Sequence, residues 1–253
     1  MKAAGTISSI DPDEASTWCG RIFLTFDVDW AHDEVINDTI DLVERADVSA
    51  TWFVTHSSPV LERLRANPKF ELGVHPNFNW LLGGDAGRSG NADQVVQEIM
   101  NIVPEATSVR SHSMAQSTGL LSIFAAAGLT HDANHFIPAS VGSGLRPWRL
   151  WNGMTRVPYI WEDDVFCSYQ GQSPEPDIAE SATMGSGIKV FDLHPIHVFL
   201  NTEQLDRYES TRPLHQHPQG LLGRRYNGYD TRKRLLDLLA IMKSGHQNRA
   251  DER

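Results

Sequence analysis

Apolar positions along this chain recur in two alternating rhythms. Short β-rich runs fall at 21–29, 49–54, 71–75, 107–110, 129–133, 155–160 and 188–194. Between several of them lie stretches with helical spacing. Ile36, Ile40 and Val43 share a face over 34–46, and Val95, Ile99 and Ile102 share one over 91–103, behind Asn91 as a cap. Ser58 before Pro59 opens a helix over 58–66, and Ser117 caps another that Gly128 ends. A last helix over 231–243 carries Leu235, Leu236, Leu239 and Met242. Repeated strand–helix alternation predicts a parallel sheet. With about seven strands and no Gly-rich phosphate fingerprint, the expected fold is α/β, a distorted (β/α) barrel rather than a dinucleotide-binding sheet.

Three stretches break the rhythm: 134–154, 168–187 and 201–230. Structureless loops of that length are uncommon in compact domains, so they are expected to be long functional loops or hairpins. The 253 residues show no repeat and no composition shift, which predicts a single domain over 1–253, with 1–20 as an N-terminal extension and 244–253 as a frayed polar tail. Apolar residues make up 40%, enough for a sizeable core. The formal charge of -10 disfavours phosphate backbones, so no nucleic-acid partner is expected. Cys19 and Cys167 are too few for a disulfide framework. The N-terminus carries no apolar signal region, and the most apolar stretch, Leu120 to Leu129, falls short of the ~20 residues a spanning helix needs. These features predict a soluble cytoplasmic protein without a transmembrane segment.

Candidate chemistry sits at strand ends. Asp27 and Asp29 close the run Thr25-Phe26-Asp27-Val28-Asp29, and side chains two apart on a strand share a face. Two carboxylates on one face call for a positive partner, and a divalent cation is one. One of them can then ligate while the other acts as general base; two solvated aspartates at a strand end are an equal alternative. His75 ends Glu71-Leu72-Gly73-Val74-His75 and, on a neighbouring parallel strand, reaches the same mouth. Oxygen and imidazole donors together suit Zn²⁺. Arg110 can orient Asp27 through a charge-assisted hydrogen bond. In Asp192-Leu193-His194-Pro195-Ile196-His197, a histidine can protonate a leaving group, or both can be satisfied core imidazoles.

This constellation resembles the NodB-homology polysaccharide deacetylases, carbohydrate esterase family four, and among them the divergent WbmS-like branch linked to O-antigen sugar loci. The family's first motif is TFDDG; TFDVDW here is similar to a variant with one inserted residue. The resemblance implies Asp27 as catalytic base, Asp29 as metal ligand, Arg110 as the residue orienting the base, and His194 as the acid. Its second motif, His-x-x-x-His, matches at His75 but has Asn79 in the second place. Asn79 is therefore the first choice for third ligand, with His112, His131 and His135 as the other candidates. The cofactor implied is a divalent metal, Zn²⁺ foremost, and the activity is hydrolysis of an acyl group, N-acetyl foremost, from an amino sugar or a nucleotide- or lipid-linked sugar precursor. Trp30, Trp80 and His197 are candidate substrate contacts. Trp148, Trp151 and Trp161 offer further aromatic faces for sugar rings, or ordinary packing. Three rivals remain: a glycosidase using Asp27 and Asp29, a catalytically inactive sugar-binding protein on the same barrel, and a phosphoester hydrolase, which the scarcity of Lys and Arg near the motifs argues against.

Overall fold

The computed structural model describes residues 2–84, 87, 89–141, 144–169 and 176–250. Strand β1 (Lys2–Gly5) leads to β2 (Arg21–Asp27), which is buried over nearly its whole length. Period-2 alternation then divides β2 between two interiors. Ile22, Leu24 and Phe26 join the core against the helices, whereas Phe23 faces the second apolar cluster, inside the curl of the sheet. Helix α1 (Asp33–Ala46) buries Val35, Ile36, Ile40 and Val43 and ends at Asp47 in the left-handed conformation. β3 (Ala50–Val54), α2 (Val60–Ala66) and β4 (Phe70–Val74) follow, with Ser58 Oγ accepting from the Val60 amide at the head of α2. The short α3 (Asn79–Leu82) precedes α4 (Ala92–Ile102), whose Asn91–Gln94 capping box satisfies two end amides.

β5 (Ser108–Val109), α5 (Thr118–Ala126) and β6 (His131–Phe136) continue the alternation. The stretch 134–154 is a hairpin arm in part, since β7 (Trp148–Arg149) pairs antiparallel with β8 (Thr155–Tyr159). β9 (Trp161–Glu162) runs directly into α6 (Asp163–Ser168). Within 168–187, residues 170–175 lie outside the described ones, and α7 (Ile178–Thr183) occupies much of the remainder. After β10 (Lys189–Leu193) and α8 (Pro195–Leu200), the stretch 201–230 is not a loop. It holds α9 (Leu205–Thr211) and α10 (Pro218–Leu222), helices too short to show a full apolar period. The last helix, α11 (Thr231–Ala250), extends past its expected end, and residues 251–253 of the expected tail are outside the described ones.

The strands form one curled sheet in the order β7-β8-β6-β5-β4-β3-β2-β10-β9, with β1 beside β2. All pairs except β7–β8 are parallel. β2, β3, β4, β5, β6, β8 and β10 are the expected seven strands, and among the described residues their sheet is open between β7 and β9, a half-barrel. The N-terminal extension closes its lower end. Ile7 and Ile10 pack among Phe23, Phe53 and Val190, and the Ile7 and Ser8 amides donate to Thr51 Oγ1 and Glu71 Oε2. No helix among the described residues is long and apolar enough to cross a membrane.

Above that apolar plug, inward positions turn polar: Thr25, Asp27, Arg110 and Asp192 are all buried. Gly73 makes room at the boundary. A Cβ there would lie 2.7 Å from the Phe53 ring and 2.6 Å from Ser108 Oγ. Gly73→Ala should therefore destabilise the fold by about 1–3 kcal/mol through overpacking, read as a lowered urea midpoint. An unchanged midpoint would show that Phe53 and Ser108 can move aside at little cost.

Candidate active site

Strand β2 ends at Asp27, and the chain turns sharply after it. Asp29 and Trp30 both have positive φ, 44° and 54°. For non-glycine residues such backbone costs ~1 kcal/mol or more each, so neighbouring structure must impose it. The Val28 amide donates to Phe53 O (3.1 Å), Ala31 to Val28 O (3.0 Å) and Trp30 to Thr55 Oγ1 (3.1 Å). Asp29 therefore does not share a strand face with Asp27, as alternation alone predicted. The turn, not the pleat, carries its carboxylate into the cleft.

Three imidazoles meet Asp29 there. His75 Nε2 and His112 Nδ1 each lie 3.1 Å from its Oδ1, and His194 Nε2 lies 3.6 Å from its Oδ2. Burial alone would raise the pKa of the Asp29 carboxyl, but the His112 hydrogen bond and the charge of His75 and His194 hold it well below the usual carboxylate range. Burial lowers the His112 pKa, but Asp29 outweighs it and the net shift is upward. His75 is 2% exposed, and neither ring nitrogen has an aligned hydrogen-bond partner. Buried polar atoms left this way are rare. Its Nε2 is close to Asp29 without hydrogen-bonding it, the arrangement of donors directed at a shared centre. Asp29, His75 and His112 offer ligand atoms all within 4.8 Å of one another. One carboxylate and two imidazoles suit Zn²⁺ and leave a coordination position open.

Asn79 is not in this cluster. It opens α3, its Nδ2 donates to Ser113 Oγ (3.0 Å), and it is exposed. His112, one of the alternatives, stands where Asn79 was expected. It sits on a 3₁₀ turn after β5, with its amide on Pro76 O (3.0 Å) and positive φ at the two residues that follow. His131 Nε2 instead meets Ile10 O (2.9 Å), and His135 packs edge-on against Trp148 near Arg156. Neither reaches the cleft.

Arg110 is 1% exposed and lies between the Phe53 and Tyr159 rings, 4.6 and 4.5 Å from their centroids. Its Nη1 donates to Asp27 Oδ1 (3.0 Å), Thr25 Oγ1 (2.9 Å) and Asp192 Oδ1, and Nε donates to Ala133 O (3.1 Å). Burial would lower the Arg110 pKa, but Asp192 and Asp27 raise it. Asp192 is pushed well above the usual range by complete burial, which Arg110 only partly offsets and the Asp27 charge reinforces.

His194 follows β10. Its Nδ1 is 2.7 Å from Asp163 Oδ1, and its amide donates to Asp163 Oδ2 (2.8 Å). Burial acts to lower the His194 pKa, yet Asp164 and Asp163 raise it well above the ordinary imidazole value. His197, expected to touch substrate, is committed elsewhere. Its Nδ1 faces Thr202 Oγ1 (3.0 Å), its Nε2 faces Asp164 Oδ1 (2.5 Å), and its ring lies on Tyr208. It lines the cleft as a support for Asp164. Glu162 is pushed up to about 7, by burial first and then by Asp164 and Asp27, with His194 opposing. The sequence reading missed Asp163, Asp164 and Glu162. Their signal was three consecutive acids closing an apolar run. Trp161 is core, 2% exposed, while Trp151 is 67% exposed.

These groups line a cleft of about 410 Å³ that reaches Tyr208 and Glu209 on α9 and Arg212 just after it. A half-barrel with this cleft at the carboxyl ends of its strands defines a protein of the NodB-homology class. The model of the WbmS-like polysaccharide deacetylases matches residues 24–212, and the chain belongs to that family. A protein of Bordetella bronchiseptica, WbmS, assigned as a polysaccharide deacetylase involved in O-antigen biosynthesis, is 46% identical. Its crystal structure has a TM-score of 0.87, with 94% of this chain and 97% of that one covered. A family 4 carbohydrate esterase from Streptomyces lividans, in complex with acetate, is 12% identical with TM-score 0.45, over 88% of each chain. A polysaccharide deacetylase by assignment from Mycobacterium smegmatis is 16% identical with TM-score 0.44, over 69% of this chain and 77% of that one. No curated protein matches the chain.

Zinc retention separates the two ligand sets. Elemental analysis of zinc-loaded protein after dialysis should find the metal lost from His112→Ala and Asp29→Ala and kept by Asn79→Ala. Loss in Asn79→Ala with retention in His112→Ala would reverse the assignment.

Proposed function

We propose that this chain is a metal-dependent hydrolase that removes an acyl group, N-acetyl foremost, from an amino sugar of a glycan under assembly. The observation that carries this is the placement of Asp29, His75 and His112 between an arginine-held carboxylate, Asp27, and a carboxylate-held imidazole, His194. The role assigned to the Bordetella relative supports O-antigen biosynthesis as the setting. Amide hydrolysis needs an activated carbonyl, a base for water and an acid for nitrogen. Zn²⁺ held by Asp29, His75 and His112 would supply Lewis acidity to the acyl carbonyl and the attacking water.

The chain's own residues handle the protons. Arg110 holds Asp27 Oδ1 and leaves Oδ2 to take a proton from the attacking water, whose oxygen bonds to the acyl carbon. With Nδ1 donating to Asp163 and the ring protonated, the Nε2 proton of His194 faces the cleft. When the carbon–nitrogen bond breaks, the nitrogen takes that proton and leaves as an amine beside the released carboxylate. A glycosidase pair is disfavoured, since Asp29 is held ionised and Asp27 gives one oxygen to Arg110, and that pairing leaves His75, His112 and His194 without roles.

Asp27→Asn should keep zinc and lower acetate release by about 10²–10⁴-fold; near-normal turnover would remove Asp27 as the base. A pH profile tests His194. Because Asp164 and Asp163 raise its pKa, its proton is present at neutral pH and is lost only as pH rises through the raised value. The kcat profile should therefore fall on its alkaline side, and Asp163→Asn should move that limb to lower pH. An alkaline limb unmoved by Asp163→Asn would assign the acid elsewhere.

A further inference from the structure

The run Asp192-Leu193-His194-Pro195-Ile196-His197 places two imidazoles in the cleft, and the proposed chemistry uses one of them. His194 and His197 stand three apart at the head of α8, so their rings share a face. Asp164, on α6, meets both. Its Oδ1 lies 2.5 Å from His197 Nε2, and its Oδ2 lies 4.0 Å from His194 Nε2. Each ring is anchored through its other nitrogen, His194 Nδ1 by Asp163 Oδ1 (2.7 Å) and His197 Nδ1 by Thr202 Oγ1 (3.0 Å). Metal-binding histidines are oriented in this way: an outer partner fixes the ring and turns the other nitrogen to the ion.

The donor set fits a divalent cation. Asp164, His194 and His197 offer ligand atoms all within 4.8 Å of one another, and none of the three belongs to the Asp29–His75–His112 group. Ligands ~2.0–2.2 Å from a tetrahedral Zn²⁺ stand about 3.3 Å apart. The separations from Asp164, 2.5 and 4.0 Å, bracket that spacing, and a small turn of the carboxylate evens them. Asp164 is partly exposed while His194 and His197 are buried, so an ion has one side from which to enter. Asp29 Oδ2 lies 3.6 Å from His194 Nε2 while its Oδ1 faces His75 and His112, which sets one carboxylate between the two groups. We propose that Asp164, His194 and His197 form a second divalent-cation site, and that Zn²⁺ held there inhibits the hydrolase. The ion takes the Nε2 lone pair of His194, so that nitrogen no longer carries the proton that the leaving amine needs. The inhibition rests on the reading of His194 as the acid; the site itself does not. Binding also breaks the Asp164–His197 hydrogen bond, so this ion is the weaker of the two and leaves on dialysis against metal-free buffer.

Equilibrium dialysis of metal-stripped full-length protein against rising Zn²⁺, followed by elemental analysis, counts the sites. Wild type should bind two ions per chain. His197→Ala should bind one, and His112→Ala in excess Zn²⁺ should keep the ion that His197→Ala loses, with melting curves confirming folded variants. Anomalous scattering at the zinc edge from wild-type crystals in excess Zn²⁺ needs no variant, and it should place a peak among Asp164, His194 and His197. A count that His197→Ala leaves unchanged, or no peak there, would overturn the site. Acetate release from the N-acetylglucosamine trisaccharide should fall by about 10²-fold or more as the second ion binds, the scale of a lost general acid. A filled second site with undiminished release would overturn the inhibition and His194 as the acid. No release at any zinc level would overturn the deacetylase reading and the inhibition with it, while the zinc counts and the peak still decide the site.

Discussion

The buried guanidinium of Arg110 is the constraint around which the upper half of the barrel is arranged. Removing such a group from water costs several kcal/mol unless nearly every donor is met. Here Nη1 and Nε are met from several strands, by Asp27 and Thr25 on β2, Asp192 on β10 and the Ala133 carbonyl on β6, whereas Nη2 has no hydrogen-bond partner among the described residues. Phe53 from β3 and Tyr159 from β8 cover its two faces. One side chain thus spans the lumen and ties together strands far apart in sheet order. It also explains why Thr25, Asp27 and Asp192 can be inward-facing in a barrel whose lower interior is apolar. Breaking the arrangement from either side strands a charge, which is more damaging than never having had the pair.

The two ends of the lumen are consequently built by opposite means. Below, the N-terminal extension supplies Ile7 and Ile10 as a plug, and its amides are absorbed by Thr51 and Glu71. Above, the chain admits strain and polarity: positive φ at Asp29, Trp30, Ser113 and Met114, and an imidazole with neither nitrogen satisfied. Such departures from local rules gather where a protein has chemistry to perform. The lower plug gives the rigidity against which the upper turns are held.

Much of this was legible in the residues. Alternating runs gave the seven expected strands of the half-barrel to within three residues, because a buried parallel strand reads as a continuous apolar run. Asp27, His75, Arg110 and His194 were legible for a related reason: each polar residue interrupts or ends such a run. His112 and Asp163 were harder. They lie three residues and one residue past a strand end, where direction is not decided by the strand period. The 3₁₀ turn at 112–114 aims His112 at Asp29, and no spacing rule reports that. Asn79 falls outside the cluster for the same reason, since its place in a His-x-x-x-His pattern presumes a turn that α3 does not make. The helices within 201–230 escaped because one or two turns are too short to display a period.

The cleft's charge balance links these parts. Asp27, Asp29 and Asp164 line it and Asp163 lies behind His194, against two fixed cations among the described lining residues: Arg110, committed to Asp27 and Asp192, and Arg212, paired with Glu209. The remaining positive charge must come from protons on imidazoles or from a metal. The two histidine groups divide that task by what their other nitrogen does. His194 has Nδ1 bound to Asp163, and that bond together with Asp164 favours its protonated form. His75 has no aligned hydrogen-bond partner on either nitrogen, although Asp27 Oδ2 lies 3.6 Å from its Nδ1 and Asp29 Oδ1 lies 3.1 Å from its Nε2. His112 lies between these cases: Asp29 favours its proton, and a cation bound at Asp29 would displace it. One carboxylate-rich cleft therefore sets a carboxylate-held imidazole and two candidate metal ligands around a shared aspartate, because Asp163 hydrogen-bonds His194 whereas the Asp27 oxygen 3.6 Å from His75 Nδ1 makes no hydrogen bond to it.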